Sequence, residues 1–121
     1  YHARAEGKSV IDYAFHLIVT DPTPQVLGQE LPALIREGYT SFKIYTTYDD
    51  LKLNDRQIIE VLALAKREGA LTMVHAENSD AIAWLTEALE AAGQTAPRHH
   101  ADARPAIAER EATHRAISLA E

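Results

Sequence analysis

Two short apolar runs, Ser41-Phe42-Lys43-Ile44-Tyr45 and Leu71-Thr72-Met73-Val74-His75, flank a stretch with helical periodicity, and the reading of that stretch decides the fold. Each run has strand length and composition. Between them, Asn54 or Asp55 is placed to cap a helix whose Ile58, Ile59, Val61, Leu62 and Ala65 face inward, and Gly69 ends it. Strand, helix, strand in this order is a βαβ unit, which implies a parallel pair joined by a right-handed crossover.

The same rhythm extends both ways. Upstream, Val10 to Val19 reads as a strand, closing at Thr20-Asp21-Pro22-Thr23-Pro24, a helix entry with proline in the first turn. Val26, Leu27, Leu31, Leu34 and Ile35 follow as a helical stripe that Pro32 should kink or divide, with Gly38 beyond its end. Downstream, Ser79 is the expected N-cap of a helix carrying Ile82, Ala83, Leu85 and Leu89 inward and stopping at Gly93. Gln94 to Ala103 reads as a polar loop, and Arg104-Pro105 opens a last, alanine-rich helix toward Glu121. Three strands alternating with helices at about 30 residues per unit make the class α/β with a parallel sheet. A complete (β/α)8 barrel needs about 250 residues and residues 1–121 supply about three of its eight units, so either the fold is small and open or the chain is part of a barrel.

Composition narrows the function. The chain of 121 residues is 46% hydrophobic and 25% charged, the balance of a globular domain. A net charge of -6, with twelve scattered Lys and Arg residues, argues against a nucleic-acid partner. There is no cysteine, so disulfides and thiolate metal sites are excluded, and any metal must use histidine, carboxylate or modified lysine. No apolar stretch approaches the roughly 20 residues that cross a bilayer, and no secretory pattern opens the chain. The expected setting is cytoplasmic.

The residues able to carry chemistry sit where a parallel α/β fold collects them, near the carboxyl ends of strands. Alternation places Lys43 with Ser41 and Tyr45 on one face, and His75 with Leu71 and Met73 on one face. In a strand buried on both faces, Lys43 would lose hydration, and its neutral amine could add carbon dioxide to give a carbamate able to bridge two metals. His75 is the candidate imidazole. The plainer alternatives stay open: a lysine snorkelling to water, and a hydrogen-bonded core histidine. Tyr48, in the loop after the lysine strand, is either an oxyanion donor or a rim tyrosine. His16 reads as structural, His99-His100 as a solvated pair without partner carboxylates at metal-ligand spacing, and Asp49, Asp50 and Glu77 as solvated or helix-dipole acids.

Together, Asp12-Tyr13-Ala14-Phe15-His16, Ser41 to Tyr48, Val74-His75-Ala76-Glu77-Asn78, and Arg104-Pro105 with Glu109, Glu111-Ala112 and Arg115-Ala116-Ile117 resemble the dihydropyrimidinase and hydantoinase family of cyclic amidohydrolases. The resemblance implies the middle of a metal-dependent (β/α)8 barrel, with residues 1–121 as a single partial-barrel segment of a larger catalytic domain. Lys43 matches the carboxylated lysine that bridges two zinc ions, His75 a histidine ligand, and Tyr48 the tyrosine that stabilises the oxyanion when hydroxide opens the ring amide. It implies a small cyclic ureide substrate, while the open edges and uncovered face of a partial barrel lead to the expectation of a homo-oligomer. The family's early His-x-His pair, a later histidine and a metal-binding aspartate have no counterpart here, so this stretch alone is not expected to hold zinc or to be active. Two other readings compete: a non-catalytic interaction module like the dihydropyrimidinase-related proteins, which lack the bridging lysine, and a Schiff-base enzyme using Lys43 without metal.

Overall fold

The computed structural model describes all residues, 1–121. A short helix α1 (His2–Ala5) precedes β1 (Leu17–Ile18), a π-helical turn (Val26–Glu30) runs into α2 (Leu31–Arg36), and β2 (Ser41–Tyr45), α3 (Asp55–Glu68), β3 (Leu71–His75) and α4 (Ser79–Ala91) follow. A 3₁₀ turn (Pro97–His99), α5 (His100–Ala103) and α6 (Ala106–Ala120) complete the chain. The strands form one three-stranded parallel sheet in the order β1-β2-β3, as the βαβ rhythm requires. No helix is long and apolar enough to cross a membrane.

Capping chemistry sets the helix ends. Asn54 and Gln57 form a reciprocal capping box at α3, each side chain taking the other's backbone N–H at 3.0 Å. Gly69, in the left-handed region at φ 74°, closes the same helix. Asn78, one residue before the expected Ser79, caps α4 by accepting from the Ala81 N–H at 2.9 Å. The amide side chain wins because it serves two partners: its oxygen caps α4 while its NH₂ donates to Glu111 on α6 at 2.7 Å.

Pro32 divides its helix through the preceding turn. The Leu31 N–H bonds back five residues, to Val26, so the ladder slips by one residue just where proline has no N–H to give. Two expectations are corrected. The first strand is only Leu17–Ile18, because its register, Leu17 to Phe42 and Ile18 to Lys43, carries residues before His16 past the start of β2, where no backbone is available to pair. The expected loop at Gln94–Ala103 contains the 3₁₀ turn and α5, with Ala103 buried.

Burial is one-sided. On β2, Phe42 and Ile44 are fully buried while Ser41, Lys43 and Tyr45 are half-buried, so the strand is not covered on both faces as Lys43 was expected to find it. The core lies on the helical side, where Phe42 and Ile44 pack with Ile58, Val61, Leu64 and Ala65 of α3 and Leu31 of α2. Ile59 is exposed and Leu64 takes the inward place expected for it, since the stripe through Ile58, Val61 and Ala65 is centred on the Leu64 side of the helix. On α4 only Ile82 is buried, and Ala83 is exposed. The register puts Ile18, Lys43 and Met73 in one row of the opposite face, with Tyr45 and His75 in the row toward the strand ends. Only the N-terminal segment borders that face, Tyr1 and His2 lining a cavity with Ile18, Lys43 and Met73, and Ile18 and Leu71 are 58% and 63% exposed on it.

Candidate functional site

The open face and the loops beyond its carboxyl edge gather the candidate residues. Lys43 sends its ammonium toward that edge, Nζ lying 5.2 Å from the centroid of the Tyr45 ring. Tyr45 stacks on His75, the residue paired with it in register, at 5.6 Å between centroids. Tyr48 meets His75 from the next loop, ring to ring at 5.1 Å, with its hydroxyl 3.4 Å from His75 Nε2. Tyr45 therefore stands between the residues singled out in the sequence, with Lys43 one row inside the edge at which His75 and Tyr48 meet.

Tyr48 reaches its position through a backbone conformation that bulky side chains avoid. At φ 70° it is the one non-glycine residue in the left-handed region, held there because its carbonyl accepts the N–H groups of Leu51 and Lys52 at 2.9 and 2.8 Å. The loop is tied back further by the Leu53 N–H donating to the Tyr45 carbonyl at 2.9 Å, with the Leu53 side chain in the core. Such a conformation costs roughly 1–2 kcal/mol for an L-residue, and here the surrounding turn enforces it.

Sequence reasoning passed over the partners of His75. Nε2 lies 2.8 Å from Glu77 Oε2, and the same oxygen receives a hydrogen bond from Arg104 Nη1 at 2.7 Å. Arg104 also lies over the Tyr48 ring, its Cζ 5.6 Å from the centroid. Burial pushes the Glu77 carboxyl up, but hydrogen bonds from His75 and Arg104, and the Arg104 charge, outweigh it and hold the group below the ordinary carboxylate range. Glu77 is thus no solvated or helix-dipole acid.

Beneath it, buried Thr46 clamps the turn: its hydroxyl donates to the Glu77 carbonyl at 2.7 Å and accepts the Glu77 N–H at 2.8 Å. A local signal for the Glu77–His75 pair existed, since residues two apart in extended chain share a face. None existed for Arg104, which lies 27 residues from Glu77.

The remaining candidates fall outside. His16 bonds to Ser41 Oγ at 2.7 Å across the sheet, a structural contact. His99 does have a carboxylate partner, Asp102, at 2.9 Å, brought into reach by the α5 turn where a loop was expected. Asp49 pairs with Lys52 at 2.7 Å in solvent. No three His, Asp or Glu side chains come together closely enough to hold a metal ion.

The three-stranded parallel sheet, its helices on one face only, defines a piece of a TIM-type β/α barrel, and comparison with known proteins is specific about which. The D-hydantoinase of Streptomyces coelicolor is 46% identical over 122 residues, matching 100% of this chain and 26% of that protein. The crystallographically described D-hydantoinase of a Bacillus species superposes with a TM-score of 0.92 at 45% identity, and the dihydropyrimidinase of Brevibacillus agri with 0.89 at 45%, each covering 98% of this chain and 26% of the other. No protein-family model matches the chain. The resemblance to dihydropyrimidinases and hydantoinases is borne out, and the chain spans about a quarter of the length of these relatives.

Proposed function

We propose that this chain is the metal-holding segment of a cyclic amidohydrolase that opens the ring amide of a hydantoin or dihydropyrimidine to an N-carbamoyl amino acid. The observation that carries the reading is that Lys43 and His75 share the open face, with the Tyr45 ring between them and Tyr48 meeting His75 at the carboxyl edge. The imidazole and a carboxylate-like oxygen are donors suited to zinc, and Lys43 and His75 are both half-buried, shielded yet reachable.

Lys43 would contribute as a carbamate: its neutral amine forms a bond to the carbon of carbon dioxide and releases a proton to solvent, leaving one negative charge shared by two oxygens. His75 would hold one of two divalent ions, expected to be zinc, and these would supply a Lewis acid and an acidified water. Tyr48 would donate its O–H to the ring carbonyl oxygen as that oxygen gains charge. Water's oxygen bonds to the carbonyl carbon, the ring C–N bond breaks, and the nitrogen takes up the proton. The remaining metal contacts would come from outside these 121 residues, so the chain alone is expected to lack the activity.

A chimera in which this chain replaces the corresponding quarter of the Streptomyces coelicolor relative tests the reading. Lys43→Ala in it should remove both metal ions and hydantoin opening, whereas Tyr48→Phe should keep normal metal content and lower turnover about a hundredfold or more. A folded chimera with full metal content in Lys43→Ala would refute the assignment. Borohydride trapping of a carbonyl substrate on Lys43 would favour Schiff-base chemistry instead.

A further inference from the structure

We infer that Glu77, braced by Arg104, is the positioning residue of His75: it fixes the imidazole proton on Nε2, which leaves Nδ1 as the ring's lone-pair donor and leaves the Tyr48 hydroxyl proton unspent. The inference gives a place to residues outside the proposed ligand set, and its purpose rests on the proposed function.

Glu77 is fixed at both ends. Its backbone is held on either side by the Thr46 hydroxyl, at 2.8 Å through N–H and 2.7 Å through C=O. Its Oε2 is held by Arg104 Nη1 at 2.7 Å, and Arg104 is itself confined by Pro105 at the start of α6 and by the Tyr48 ring. A guanidinium only donates, so Glu77 Oε2 is an acceptor. The His75 nitrogen 2.8 Å from that oxygen must then present an N–H, because two lone pairs would repel at this distance.

A neutral imidazole carries one ring proton, so with Nε2 protonated the other nitrogen is bare. No hydrogen bond reaches Nδ1. The Tyr48 hydroxyl, 3.4 Å from Nε2, meets an N–H there and not a lone pair, so its own proton has no acceptor on His75 and stays available for another oxygen. Metal-binding histidines commonly donate their second N–H to a carboxylate in this way, which fixes both tautomer and ring orientation.

The test reads the ring directly, in the metal-free 121-residue chain. Long-range proton–nitrogen correlation spectra of the ¹⁵N-histidine-labelled protein, recorded at mildly alkaline pH, distinguish the two tautomers. His75 should show the Nε2–H pattern. His99, whose Nδ1 faces Asp102 and whose Nε2 accepts from Arg98, should show the opposite pattern and serves as the internal control.

Glu77→Gln should replace the single His75 pattern with an averaged one and leave His99 unchanged, since an amide can face the ring with either its oxygen or its NH₂. Arg104→Met should weaken the His75 preference and Arg104→Lys should restore part of it, a rescue that loss of fold would not produce. A proton on Nδ1 of His75 in the unaltered chain, or an unchanged His75 pattern in folded Glu77→Gln, would overturn the inference. Because no metal enters the measurement, either result leaves the proposed function to be judged by the metal content of the chimera.

Discussion

The two faces of β2 carry opposite burdens. Phe42 and Ile44 point into the helical layer and are fully buried, while Lys43 and Tyr45, their immediate neighbours, stand half-buried on the opposite face. The buried face is ordinary core, built from apolar side chains that only need the right volume. The open face spends its positions on an amine, two phenols and an imidazole in contact at a strand end, groups that contribute little to a core and much to a reaction. Alternation at period two lets one strand serve both purposes.

The sharpest way to break this comparison is to truncate one residue on each face. Ile44→Ala leaves a cavity in the core and should cost about 2–5 kcal/mol, a large share of the stability of a chain this size. Lys43→Ala, on the open face, should change the stability of the isolated chain by no more than about 0.5 kcal/mol. Urea unfolding of both variants checks the pair, and comparable losses would mean that the open face is part of the core after all.

The open face also predicts association. Ile18 and Leu71 are exposed on it, and β3 has an unpaired outer edge. Sedimentation of the isolated chain at micromolar concentrations should reveal species larger than a monomer. A stable monomer would mean that the uncovered face needs no cover.

A smaller effect is expected where the two faces meet, in the turn beyond β3. Thr46→Val keeps the shape of the side chain but removes the acceptor of the Glu77 N–H and the donor to the Glu77 carbonyl. The cost should be about 1–3 kcal/mol, the range for stranding a buried polar group. The His75 tautomer should become less well defined in the same variant. A fully stable Thr46→Val with an unchanged His75 spectrum would show that the clamp is incidental.

What the sequence made legible follows from range. The strands Ser41–Tyr45 and Leu71–His75, the cap at Asn54 and the glycine stops at Gly38 and Gly69 are local signals, decided within a few residues, and all are present. Lys43, His75 and Tyr48 stand out by their places relative to strand ends, which is again local. The readings that changed depended on distant partners. Val10 to His16 had strand composition but no strand to pair with, and Asn78 displaced Ser79 as a cap because Glu111 on α6 fixes its amide. Glu77 acquired its role from Arg104 and Thr46, neither of which the sequence places beside it.

The smallest predicted effect is a pH dependence that reports the Glu77 cluster. The His75 and Arg104 contacts hold the Glu77 carboxyl below its ordinary value of 4.5 in the folded chain. The unfolded chain, lacking those contacts, binds a proton there first as pH falls. Glu77 therefore contributes stability that is fully present above about pH 4.5, and that is lost as pH drops from this value through the lower folded value. Unfolding curves of the metal-free chain at a series of pH values, compared with those of Glu77→Gln, isolate the contribution: the variant should be less stable at neutral pH, and the two curves should converge in acid. A constant difference between them down to low pH would mean that Glu77 acts through packing alone, and that its charge does not hold His75 and Arg104 together.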